Sequence, residues 1–78
     1  MWYVYFLELS NGHIYVGYTE DLKTRKRLHD KGKVVSTKRF LPVHLKAYLA
    51  VEAEDVARNL EKYFKTGSGK AVAMKRFW

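Results

Sequence analysis

Two short runs, Trp2-Tyr3-Val4-Tyr5-Phe6-Leu7 and Ile14-Tyr15-Val16-Gly17-Tyr18, are dense in aromatic and β-branched residues, and Ser10-Asn11-Gly12 lies between them. That combination reads as a β-hairpin, and its register decides which side chains can work together. A two-residue Asn11-Gly12 turn would pair Ser10 with His13 and send Tyr5 and Tyr15 to opposite faces of the sheet. A three-residue Ser10-Asn11-Gly12 loop, with Gly12 in the left-handed position, pairs Leu9 with His13 instead. Tyr5 then lies opposite Gly17, with Tyr15 as its diagonal neighbour on the same face. Both turns are locally allowed, and Gly12 in third position favours the second.

The first run is apolar on both faces, which places it in the middle of a sheet. Pro42 to Val51 alternates apolar and polar at its start and reads as a third strand, with Pro42 tolerated at its first position. Asp21 can cap a helix that runs to about Lys31 and stops at Gly32. A second helix starts near Ala53, where Glu54 and Asp55 suit the positive end of the dipole. Ala53, Val56, Ala57, Leu60, Tyr63 and Phe64 form its apolar stripe, and Gly67 supplies its stop. Ser68 is expected to cap a last helix through about Arg76. No repeat, low-complexity tract or linker divides the chain, and 78 residues leave room for one core. The expected fold is therefore an α/β domain of the α+β type spanning residues 1–78. It has a small three-stranded antiparallel sheet flanked by helices in the order β-β-α-β-α-α.

Charge narrows the partners. The chain carries 15 Lys+Arg against 8 Asp+Glu, and eight of the basic residues fall between Lys23 and Arg39 with Asp30 as the lone acid. Such a cluster is either a solvated surface or a surface that faces a polyanion. With no Cys there is neither a disulfide framework nor a thiolate zinc site. The apolar runs are far shorter than the ~20 residues of a membrane span. Met1 leads straight into a strand-like run with no signal-peptide pattern, so a mature cytoplasmic protein with no membrane contact is expected.

The first helix carries a conflict between pattern and charge. Leu22 and Leu28 lie about 120° apart on the helical wheel, Arg25 falls between them, and His29 follows one turn later. The face that should meet the protein body thus presents a guanidinium and an imidazole. Groups of that kind turn inward when they are paired or line a cavity; the alternative is a snorkelling Arg beside an ordinary polar His. Glu61 sits at the margin of the second helix's stripe. It could pair with Lys65 or Arg58 along the helix. It is also the one acid outside the hairpin and helix starts that could reach a central pocket, and so the best candidate for a hard cation. His13, His29 and His44 show no metal-ligand spacing, no Gly-x-Ser-x-Gly elbow is present, and Gly67-Ser68-Gly69-Lys70 follows a helix where a phosphate-binding loop would follow a strand.

Together, Tyr3-Val4-Tyr5, Tyr15-Val16-Gly17, Asp21-Leu22 followed by Arg25 and His29, and Leu60-Glu61-Lys62 resemble the GIY-YIG nuclease domain. The likeness is greatest to small free-standing members similar to the N-terminal nuclease domain of the excision-repair excinuclease. Tyr3 replaces the glycine of the first motif, and no appended DNA-recognition or repair domain is expected. The resemblance implies a divalent-metal-dependent phosphodiesterase acting on DNA, with Mg²⁺ or Mn²⁺ on Glu61. It implies catalytic roles for Tyr5, Tyr15, Arg25, His29 and Glu61: Tyr5 as general base, Tyr15 positioning the water or the phosphate, and His29 bonding within the network. Lys33, Lys38 and Arg39 are expected to touch phosphates without reading sequence. Two other classes compete, a catalytically weak nucleic-acid-binding module of the same fold and a protein-interaction domain whose charge is incidental.

Overall fold

In the computed structural model, which describes residues 1–78, the first hairpin closes through Leu9, whose N–H donates to the His13 carbonyl at 2.9 Å. Gly12 has φ +85°, the left-handed conformation that the three-residue loop demands. The register follows: in β1 (Trp2–Glu8) and β2 (Ile14–Thr19), Tyr5 stands opposite Gly17 and Leu7 opposite Tyr15. Tyr5 and Tyr15 therefore share a face. The last strand, β3 (His44–Val51), adds antiparallel to the other side of β1, giving the order β2-β1-β3. It begins two residues after Pro42, where the strand was expected to start. β1 is the central strand, as its apolar residues on both faces require.

Three helices complete the order β-β-α-β-α-α: α1 (Leu22–Asp30), α2 (Glu54–Phe64) and α3 (Gly67–Phe77). Asp21 caps α1 by accepting from the Thr24 N–H at 3.0 Å and the Thr24 hydroxyl at 2.9 Å. These bonds hold its carboxyl below the usual range. Gly32, at φ +72°, ends the helix, donating its N–H to the His29 carbonyl. The even-numbered residues Val4, Phe6 and Val16 pack against Ala57 and Phe64 of α2 and Ala73 of α3. On the other face Tyr5, Leu7, Leu9 and Val43 form a second cluster, completed by Leu22 of α1 together with Tyr15, Phe40 and Leu41.

Three expectations need correction. The cap of α3 is Thr66, whose hydroxyl accepts from the Gly69 N–H at 3.0 Å, and not Ser68. Gly67, expected to stop α2, is the first residue of α3, because α2 already ends at Phe64 and only Lys65 and Thr66 intervene. The core stripe of α2 is also narrower than its apolar pattern: Ala57 and Phe64 are buried and Leu60 half-buried, whereas Ala53, Val56 and Tyr63 stay exposed. A sheet only three strands wide does not cover the whole stripe.

The tight α2–α3 turn rests on one glycine. A Cβ on Gly69 would fall on the Tyr63 carbonyl and within 2.6 Å of the Phe64 Cα, whereas one on Gly67 would meet nothing within 4 Å. Gly69→Ala should destabilise the domain by about 1–3 kcal/mol, since the obstruction is backbone that cannot swing away. Gly67→Ala should be neutral or stabilising by up to ~1 kcal/mol. Urea unfolding of the two variants beside the wild type checks the contrast.

Candidate active site

The α1-facing side of the sheet holds a buried tyrosine: Tyr5 is 2% exposed. The hairpin register creates the space it occupies. The outer end of its ring lies over Gly17, and any Cβ there would collide with the Tyr5 hydroxyl and ring. Glycine at this position is thus dictated by the close approach of Tyr5.

From the opposite side α1 delivers the two polar groups that its pattern predicted would face inward. Arg25 donates from Nε to the Tyr5 oxygen at 3.3 Å, and His29 Nε2 lies 2.9 Å from the same oxygen. Because Arg25 and His29 are four residues apart on a helix, both point down one face onto one atom. Tyr15 closes the cluster, its ring centroid 6.3 Å from that of Tyr5 and 5.3 Å from that of His29. Burial pushes the Tyr5 phenol up to about 12, against the opposing pull of the Arg25 hydrogen bond. Burial, reinforced by the Arg25 charge, pushes His29 down to about 4. The Tyr5 hydroxyl bond raises Arg25 further, so the guanidinium stays charged. Near neutral pH the trio is therefore a neutral phenol, a neutral imidazole and one fixed cation.

One member of the cluster escaped the sequence. The His29 ring is fully buried, and its Nδ1 lies 2.8 Å from the hydroxyl of Thr37, itself fully buried. Thr37 belongs to the irregular stretch between α1 and β3, where neither 3.6- nor 2-residue periodicity marks an inward position. Its only signal is a small polar residue among basic ones. A turn holds it: its N–H donates to the Val34 carbonyl at 3.1 Å, and its own carbonyl accepts from the Phe40 N–H at 2.9 Å. Lys33, Lys38 and Arg39 lie on the outside of the same segment and are exposed.

Glu61 stands at the edge of this group. Its side chain is 18% exposed and its Oε2 lies 3.3 Å from Lys65 Nζ, the helical pairing its spacing allowed. Lys65 Nζ in turn sits 6.0 Å from the Tyr15 ring centroid. Glu61 makes no hydrogen bond to Tyr5, Tyr15 or Arg25, yet its charge is near enough to contribute to the raised Tyr5 value. The structure thus gathers Tyr5, Tyr15, Arg25 and His29 into one contact network and sets Glu61 beside it. No group of three or more His, Cys, Asp or Glu residues is placed to hold a metal ion. No helix is long and apolar enough to cross a membrane.

The sequence has relatives among known proteins. The GIY-YIG catalytic domain model matches residues 1–76, and the chain belongs to that family. Over 64 residues it is 39% identical to UPF0213 proteins of Streptococcus pyogenes serotype M5 (strain Manfredo) and serotype M2 (strain MGAS10270). The alignments cover 81% of this chain and 70% of each relative. No solved structure matches it. Family membership supports a nuclease-type function, and with it DNA as the substrate.

The buried imidazole makes a thermodynamic prediction. His29 binds a proton near pH 6.5 when unfolded but only near pH 4 when folded. Below pH 6.5 the unfolded chain therefore holds more protons, and stability falls as pH drops from 6.5 towards 4, by up to ~3 kcal/mol. Above pH 6.5 this contribution is flat. Denaturant midpoints measured across that window should show the slope in the wild type and lose most of it in His29→Gln.

Proposed function

We propose that the chain is a divalent-metal-dependent endonuclease that hydrolyses DNA phosphodiester bonds in the cytoplasm. The observation that carries this reading is a phenol oxygen held at once by a guanidinium and an imidazole, beside a second tyrosine. Hydrolysis of a phosphodiester needs an activated water, neutralisation of charge on the non-bridging oxygens and stabilisation of the departing alkoxide. Arg25 serves the second need, because only its Nε is engaged by Tyr5 and the rest of its donor fork suits a phosphate. Tyr5 serves the first as the group that takes the water's proton, with Tyr15 orienting the water or the phosphate and His29 fixing the Tyr5 hydroxyl.

Glu61 is the residue that would hold the metal. The donor set fits a hard cation: one half-buried carboxylate has one oxygen on Lys65 and its other oxygen free of any bond. Mg²⁺ or Mn²⁺ is commonly bound by one or two carboxylates, completed by waters and substrate phosphate oxygens. Bound there, such an ion supplies Lewis-acid stabilisation of the leaving oxygen. Lys33, Lys38 and Arg39, exposed on the segment that follows α1, suit phosphate contacts that position DNA without reading its sequence. The Glu61–Lys65 pair is the observation that favours the second reading, a nucleic-acid-binding module that cleaves poorly.

Plasmid nicking with Mg²⁺ or Mn²⁺, run beside a DNA-binding titration, separates the two. Glu61→Gln keeps shape and removes the charge that would hold the cation. It should reduce cleavage by roughly 100-fold or more while DNA affinity stays near the wild-type value. The Lys33→Ala, Lys38→Ala, Arg39→Ala triple variant should weaken binding about equally across DNA sequences, with a shallower salt dependence. Wild-type cleavage by Glu61→Gln would remove Glu61 as the metal ligand, and absence of cleavage by the wild type would leave the binding module.

A further inference from the structure

We propose that Thr37 is a positioning residue of the nuclease site: its hydroxyl accepts the Nδ1 proton of His29 and so fixes the imidazole in the tautomer that presents a bare Nε2 to Tyr5. The inference rests on the endonuclease reading for its catalytic consequence, though not for the tautomer itself.

A neutral imidazole has one N–H and one lone pair, and the bond that each nitrogen makes decides which is which. Both His29 nitrogens are engaged, Nε2 with Tyr5 and Nδ1 with Thr37, so two polarities are open. In one, Thr37 donates to Nδ1 and Nε2–H donates to Tyr5. The Tyr5 oxygen would then receive two donors, and the positive N–H end of the imidazole would face the Arg25 guanidinium across that oxygen. In the other, Arg25 donates to Tyr5, Tyr5 donates to Nε2, and Nδ1–H donates to Thr37. Every dipole then runs head to tail away from the cation, each bond strengthens the next, and the electron-rich nitrogen faces the charge. The Arg25 charge favours the second arrangement, in which the fully buried Thr37 hydroxyl, pinned by its turn, accepts from Nδ1–H at the cost of leaving its own O–H without a partner.

The consequence reaches the reacting side of Tyr5. With its own proton turned inward to His29 and one lone pair taken by Arg25, the phenol offers its remaining lone pair as an acceptor. A water entering there can give a proton to the Tyr5 oxygen as the original Tyr5 proton passes to His29 Nε2. The hydroxide goes to phosphorus, the phenol ends neutral, and the positive charge ends on the imidazole. In the opposite tautomer Tyr5 would present a donor and could not accept that proton.

The test uses the intact protein with ¹⁵N-labelled histidine. The wild type should show His29 protonated at Nδ1 and bare at Nε2. Thr37→Val, nearly isosteric but without an acceptor, should lose that signature. It should also lower kcat roughly 10- to 100-fold with KM and DNA affinity unchanged, and Thr37→Ser should restore both. An Nε2-protonated His29 in the wild type overturns the assignment. A Thr37→Val protein that keeps the wild-type signature, or cleaves at the wild-type kcat, overturns it equally. The nitrogen spectrum needs no cleavage, so it judges the tautomer even if the protein proves not to be a nuclease.

Discussion

Tyr5 can be buried only because the strand beside it has no side chain at the point of contact. The ring end lies where a Gly17 Cβ would be, and the hydroxyl thereby reaches the α1 side of the sheet, where Arg25 and His29 meet it. The rest of the site follows from that approach. Were Tyr5 lifted away from β2, His29 would lose its Nε2 partner in a buried setting, at a cost on the order of 1–3 kcal/mol for the orphaned group. The hairpin loop is part of the same constraint, since a one-residue slip would turn Tyr15 to the other face.

The electrostatic state of the network is the second consequence of that burial. A phenol at about 12 and an imidazole at about 4 are shifted apart by the same cause, removal from water, which penalises the charged form of each. A phenolate–imidazolium pair is therefore no resting state, and the site holds its protons on oxygen until something else supplies one. Arg25 stays charged because part of its side chain reaches solvent while its Nε bonds Tyr5. The single cation gives the buried hydrogen bonds a direction. A neutral chain aimed away from an arginine can take a proton at the Tyr5 oxygen and pass the original one to His29 without first forming a buried phenolate.

Much of this was legible in the sequence because it is written in periodicities. Gly12 in third position of Ser10-Asn11-Gly12 favoured the loop that sets the register, and the apolar residues on both faces of β1 pointed to its central place. The inward face of α1 was recognisable from the conflict between Leu22 and Leu28 and the polar Arg25 and His29 between and beyond them. Thr37 was not, because an irregular segment carries no period from which burial could be read. Neither the cap of α3 nor the width of the α2 contact was legible. Thr66 and Ser68 are both competent caps, and only the length of the turn after Phe64 chooses between them. An apolar stripe shows which side of a helix is sticky, but how much of it is covered depends on the breadth of the sheet beneath. For Glu61, spacing allowed both a Lys65 pair and a place beside the tyrosines, and the structure has both.

On the proposed endonuclease reading, the hairpin, Gly17, α1 and the buried imidazole together hold a single oxygen, the Tyr5 hydroxyl, in place for phosphodiester hydrolysis. Tyr5→Phe deletes that atom and leaves the ring in its position over Gly17. The most direct test is the rate of plasmid nicking by this variant in Mg²⁺ or Mn²⁺, with folding and DNA affinity followed in parallel. The variant should fold, bind DNA as the wild type does, and nick at least about 100-fold more slowly. Nicking at the wild-type rate by folded Tyr5→Phe would mean that everything that holds the oxygen serves only the fold.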